Sequence, residues 1–214
     1  MQTKEQFELA KAFEKLFSGL QRGYGLYDPT LPKDYDFKHN LPTIELYQQH
    51  LEGKISLGIV PITDKGNCRF GVIDDDSHKK GGVKKDFDYN TLLKKIKFLK
   101  LPLTVFKSKS GGAHCYLFLN KFYPAIDIRH ILKKFAYQLC EGTPEIFPKQ
   151  EQLLPKECGS FINLPYHKGN SRVIINNEGI ELNFDDGMRY ANSRVQKLDD
   201  LVPFKLLAKK EFPD

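Results

Sequence analysis

The 214-residue sequence predicts an α+β fold, a mixed or antiparallel sheet with helices on one face, and three observations predict it. Apolar residues recur at helical spacing in separate segments. Apolar, β-branched runs end on turn clusters of Gly, Asp, Asn and Ser. The two kinds of segment succeed one another as strand-strand-helix-strand-strand-helix-strand. With 40% hydrophobic and 28% charged residues, 16 Phe and 10 Tyr, the chain has enough apolar side chain for a core, which excludes disorder.

Taken in order, the first helix spans 4–18, with Leu9, Phe13, Leu16, Phe17 and Leu20 on one face and Gly19 at its end. The stretch holding Gly23, Gly25, Pro29, Pro32, Asp34 and Asp36 predicts loop, and a short helix follows from Thr43 through His50, ended by Gly53. ISLGIVPI and CRFGVIDDD read as a hairpin around the turn Thr63–Asn67. A helix from Asn90 to Lys100 turns Leu92, Leu93, Ile96 and Leu99 inward and its lysines outward, with Pro102 just past its end. LTVFKS and AHCYLFL are strands flanking Lys109–Gly112. The helix Ala125–Cys140 then places Ile128, Ile131, Leu132, Phe135 and Leu139 on one face and stops at Gly142 and Pro144. Short strands are expected near 145–148, 160–164 and 172–175, and no repeat or linker divides the chain.

The N-terminus is a charged amphipathic helix rather than a signal core, and no run approaches ~18 apolar residues, so the expectation is a cytoplasmic protein without a membrane partner. Cys68, Cys115, Cys140 and Cys158 lie far apart without a CxxC pair, which predicts reduced, mostly buried thiols and offers no spacing for a structural zinc. The formal charge is +6. From Lys79 to Lys109 ten lysines stand against Asp86 and Asp88, a net +8, while the rest of the chain sums to −2. A polyanionic partner and a solvated lysine face both account for that run.

Three constellations carry chemistry. In FGVIDDD an apolar strand ends on three acids. Strand alternation sends Asp74 and Asp76 to one face and Asp75 to the other, and two carboxylates so placed favour a hard divalent cation between them. The alternative is the hydrated start of a polar loop. In KSKSGGAH, Gly111 and Gly112 let backbone amides approach an anion. Lys109 and Ser110 add charge and a hydroxyl donor, and His114 heads the next strand, which together suit a triphosphate; an ordinary hairpin turn is the alternative. In EIFPKQ, Glu145 is a further acid and Lys149 a cation for a phosphate. His39, His50, His78, His130 and His167 read as surface or packing residues, His78 being the nearest to the acids.

Together GVIDDD, SKSGGAH, EIFPKQ and GSFINLPYHKGNSR resemble the ordered motifs of the archaeo-eukaryotic primase superfamily, and in particular the primase-polymerases of TOTE conflict systems and CRISPR-associated ones. The similarity starts at LFSGLQRGYGLYD and HLEGKISLGIVPI and reaches about Arg172. It implies a single catalytic unit over 1–214, with an N-terminal α/β module to about residue 60 and an RRM-like palm over about 61–214. Asp74 and Asp76 match the paired metal-binding acids; Glu145 stands near the third acid, with Glu151 in reserve. Ser110 and His114 match the residues that hold the incoming nucleotide's phosphates, and Lys149 would contact the triphosphate. Asn163, Tyr166 and Arg172 lie where relatives line the nucleotide and template cleft, Tyr166 being a candidate to stack on a base.

The implied activity is a DNA primase-polymerase that makes primers de novo on single-stranded DNA and extends them, using nucleoside triphosphates (NTP or dNTP) and two Mg²⁺ or Mn²⁺ ions. Template, primer and triphosphates are the expected partners. No helicase motif or zinc module lies in the 214 residues, so further domains, or CRISPR or replication proteins, are expected besides. A metal-dependent nuclease would use the acids but leave SKSGGAH without a role. A non-catalytic RRM-type binding module would place exposed aromatics, not Asp74 and Asp76, on the central strand.

Overall fold

In the computed structural model, which describes residues 4–76, 86–140 and 142–201, the two most apolar runs of the sequence become neighbouring central strands, β4 (Asn67–Asp75) and β6 (Ala113–Pro124). Runs that leave no polar face to solvate are stable only when covered on both sides. With β5 (Thr104–Lys107), β7 (Glu145–Phe147), β9 (Ile174–Ile175) and β10 (Glu181–Leu182) they form a six-stranded sheet ordered β10-β9-β5-β6-β4-β7. A second sheet is ordered β2-β1-β3-β8, from β1 (Tyr24–Tyr27), β2 (Tyr35–Lys38), β3 (Leu57–Ile59) and β8 (Ile162–Asn163). Both sheets are antiparallel throughout.

Alternation along β4 and β6 divides the interior. Ile73, Cys115 and Leu117, with Val105 of β5, pack against α3 (Tyr89–Phe98) and α4 (Ala125–Leu139) through Leu92, Leu93, Ile96, Ile128, Leu132 and Phe135. Asp88 caps α3, its Oδ1 accepting the Thr91 N–H at 3.0 Å. On the opposite face Phe70, Val72, Phe106, Tyr116 and Phe118 meet α1 (Lys4–Leu16), the smaller sheet, and α5 (Phe184–Ser193) through Met188 and Ala191. The Phe17 ring, just past α1, lies 5.3 to 6.2 Å from the ring centres of Phe70, Phe106, Tyr116 and Phe118. Helices therefore cover both faces of the large sheet, where the element order had suggested one.

Two further expectations change. The region from Gly23 to Asp36, expected as loop, holds β1 and the start of β2, four-residue strands whose mixed composition hides their period. ISLGIVPI and CRFGVIDDD do not form a hairpin. The turn is there, with the Thr63 N–H bonded to Asn67 O at 2.8 Å and one bridge between Ile62 and Cys68, but β3 then diverges into the small sheet while β4 joins the large one. Residues 181–193, with no prior assignment, form β10 and α5.

One side chain knits the smaller sheet to its surroundings. His50, at the end of α2 (Ile44–Leu51), is fully buried; its Nδ1 accepts the Leu57 N–H at 3.0 Å and its Nε2 donates to Pro165 O at 2.8 Å. That pattern fixes the neutral ring with its proton on Nε2. Burial drives the His50 pKa down to about 3. Cys68, Cys115 and Cys140 are buried free thiols and Cys158 a half-buried one. Among the described residues no helix is long and apolar enough to cross a membrane. His78 and Lys79, Lys80, Lys84 and Lys85 lie outside the described residues.

Candidate active site

The end of β4 brings the sequence's carboxylates to the edge of the core. Asp74 faces His114 of β6 on one side and Glu145 of β7 on the other, as direct antiparallel partners. Residues opposed in this way project to the same face. His114 Nε2 lies 3.3 Å from Asp74 Oδ1, with side chains only 10% and 19% exposed. Asp74 Oδ1 is sealed from solvent and makes no hydrogen bond, so this approach is an ion-pair distance without hydrogen-bond alignment. A buried carboxylate oxygen in that condition has room to accept from a further donor or to meet a cation.

Asp76 follows two residues later, and Ser110 Oγ donates to its Oδ1 at 2.7 Å. Ser110 belongs to a turn closed by the Ser108 N–H to Gly112 O (2.8 Å), with the two serine hydroxyls 2.9 Å apart. Gly111 holds φ at 95°, a conformation glycine adopts without steric penalty, and the Tyr89 hydroxyl at the start of α3 donates to Gly112 O at 2.7 Å. Lys109 leaves this turn with Nζ 2.9 Å from the centre of the Tyr27 ring, a cation–π contact that joins the turn to β1 of the smaller sheet. Lys107, one face over, is ion-paired with Glu181.

Glu145 is exposed and paired with Lys149 at 2.9 Å. Glu151, the reserve acid, points elsewhere, 3.4 Å from Arg129 of α4. Glu145 is thus the acid opposite Asp74. Each carboxylate of the row meets a donor or cation, the first two from another motif and the third from its own: Asp74 with His114, Asp76 with Ser110, Glu145 with Lys149. Among the described residues no three of His, Cys, Asp and Glu form a ready-made metal cage. Asp75 lies on the other face, buried beside Cys140, whose thiol is pushed up by burial first and by the Asp75 charge second.

Of the three residues expected to line the cleft, only Asn163 retains a polar atom to offer. It pairs with Gly58 across β8–β3, and its Oδ1 is buried without a hydrogen bond. Tyr166 is a correction. It is fully buried in a left-handed conformation (φ 55°), edge-on to Phe184 and Phe106, its hydroxyl donating to Leu182 O at 3.1 Å, so it has no ring face for a base. Arg172 is a brace: its guanidinium donates to Leu164 O at 2.9 Å and Ser56 Oγ at 3.1 Å, and burial lowers its pKa. Tyr27 and Tyr89, which anchor the SKSGG turn, were missed. In YGLY the period of two puts Tyr27 on the Gly25 face, a signal available only once β1 is recognised as a strand.

Residues 36–181, more than half the chain, match the family model described as TOTE conflict system, Archaeo-Eukaryotic Primase domain. No curated protein matches the chain.

Proposed function

As the chain belongs to the archaeo-eukaryotic primase domain family of TOTE conflict systems, for which nucleotidyl transfer is the general chemistry, we propose that it is a DNA primase-polymerase, one catalytic unit that initiates chains on single-stranded DNA and extends them. The observation that carries this reading is the row His114–Asp74–Glu145, set by strand register, with the SKSGG turn folded onto Asp76 beside it.

The residues suit hard divalent cations. Carboxylate oxygens are the ligands Mg²⁺ and Mn²⁺ prefer, and Asp74 Oδ1 is a buried acceptor still lacking a donor. Asp74 and Asp76 would hold the ions, with Glu145 on the side of the attacking hydroxyl. When bound, the ions would lower the pKa of the 3′-OH and neutralise charge on the triphosphate. The chain's own part is positioning and electrostatics. The Ser110 hydroxyl and the Gly112 amide offer donors to phosphate oxygens, the Gly111 N–H being turned inward onto Ser108 O at 3.3 Å, and His114 and Lys149 stand beside the acids where phosphate charge would gather. Asn163 offers a side-chain amide from the facing sheet. A strong general base is not required of any side chain.

The test is synthesis on single-stranded DNA with Mg²⁺ or Mn²⁺, labelled NTPs and dNTPs and no primer, alongside Asp74→Asn/Asp76→Asn. Short products from the wild type alone support the proposal. Extension of a supplied primer without initiation would leave a polymerase, and template degradation would replace the proposal with a nuclease.

A further inference from the structure

Beside the carboxylate row, the outer face of the smaller sheet and strand β7 enclose a cavity of about 370 Å³, within the ~300–1,000 Å³ range of small-ligand pockets. Its aromatic walls are Tyr35, Phe37, Phe147 and Phe161, and its polar lining includes Lys149 and Cys158. Phe161 is held flat on the sheet by two missing side chains: a Cβ on Gly25 or Gly58 would come within 2.5 or 2.2 Å of its ring. Tyr35 stands edge-on to that ring, centroids 5.2 Å apart, and is 41% exposed. No acid belongs to the described lining, and Lys149 links the cavity to Glu145, itself opposite Asp74.

Flat aromatic walls, a cation at one margin and no acid fit a ligand that is planar at one end and anionic at the other. We infer that this cavity takes an unstacked nucleobase, seated against Tyr35 and Phe161, with Lys149 meeting the phosphate of the same nucleotide. The inference rests on the proposed function, because the base must come from a template strand or a free triphosphate. Lys149, already held at this margin by Glu145, would keep the phosphate end of the nucleotide beside the carboxylate row. The position explains why the smaller sheet is built with glycines at two facing positions: any side chain there would displace Phe161 into the space a base would use.

Cys158 supplies a probe that does not depend on catalysis. It is the one half-buried thiol, its Sγ 3.6 Å from His39 Nδ1 within the cavity, while Cys68, Cys115 and Cys140 are buried. The full chain is alkylated with a maleimide and Cys158 labelling followed by mass spectrometry, with an oligonucleotide single strand, an abasic strand of equal length, or dNTPs added. Strand binding is followed in parallel by fluorescence anisotropy. Protection of at least about fivefold by the normal strand or by dNTPs, weak with the abasic strand, is expected, and whichever protects names the source of the base. Tyr35→Ala, an exposed position away from the acids, is expected to abolish protection and weaken strand or nucleotide binding about 5- to 100-fold. Equal protection by the abasic strand, or a bound strand with Cys158 labelled at the free rate, would overturn the inference and leave the proposed activity standing. Absence of both strand and nucleotide binding, together with absence of synthesis, would overturn both.

Discussion

Asp74 shows how much a single position can carry. Its Oδ1 is buried without a hydrogen bond while its neighbours are a histidine and, across the strand, another acid. Replacing it with Asn removes the charge but keeps the shape. Nucleotide incorporation should fall at least about 10²-fold, the scale of losing one electrostatic stabiliser in an active site, with thermal stability unchanged or raised because a desolvated charge is gone. Steady-state incorporation and a melting curve check the two halves. Ser110→Ala should be gentler: losing one hydrogen bond of about 1 kcal/mol to Asp76 should lower incorporation about fivefold, mainly through KM for the triphosphate. His50 governs pH dependence instead. Its folded pKa, about 3, lies below the ordinary value of 6.5, so the unfolded chain takes up a proton that the folded one refuses. Its contribution is complete above about pH 6.5 and is lost as pH falls, by up to about 1.4 kcal/mol per pH unit, until about pH 3. Denaturant titrations between pH 8 and 4 should show this slope, and His50→Gln should flatten it while lowering stability at pH 8 by about 1–3 kcal/mol.

At the scale of elements, Gly19 was legible as the end of a helix but not as a contact. A Cβ there would sit 2.0 Å from Val60 O, and the Leu20 N–H bonds that same oxygen at 2.9 Å. The close approach joins the segment just past α1 to the end of β3 in the smaller sheet. Gly19→Ala should therefore destabilise by about 1–3 kcal/mol, and chemical denaturation checks it. The helices were readable because their apolar faces repeat within one segment. Strand partners were not, since an apolar run states that it is buried but not beside what; hence the assignment of ISLGIVPI to a hairpin with β4. The acids were readable for a related reason. Alternation alone separates Asp74 from Asp75, whereas the burial of Tyr166 depends on Phe106, Phe184 and Leu182, and on a left-handed backbone that no periodicity announces.

For the whole molecule, charge sets the conditions of nucleic-acid binding. The sequence carries +6 overall and concentrates lysine between 79 and 109, and Lys109 already reaches across to Tyr27 beside the acids. If about four phosphates are neutralised, log K for single-stranded DNA should fall with log salt at a slope of about −3. Anisotropy titrations from low to physiological salt measure it, and a flat response would remove the lysines from the interface.

The placement of β8 reaches beyond the active site to the order in which the chain is made. β3 ends at Ile59, yet the strand that covers its free edge is Ile162–Asn163, contributed roughly a hundred residues later. During synthesis the early sheet emerges with an open hydrogen-bonding edge that nothing local can close, and it must wait for the intervening strands and helices to leave the ribosome. Such distant pairing slows folding, since loop closure must precede the contacts that reward it. A nascent chain arrested before residue 160 should remain protease-sensitive across β1–β3, and protection should arrive together in both sheets once β8 is out.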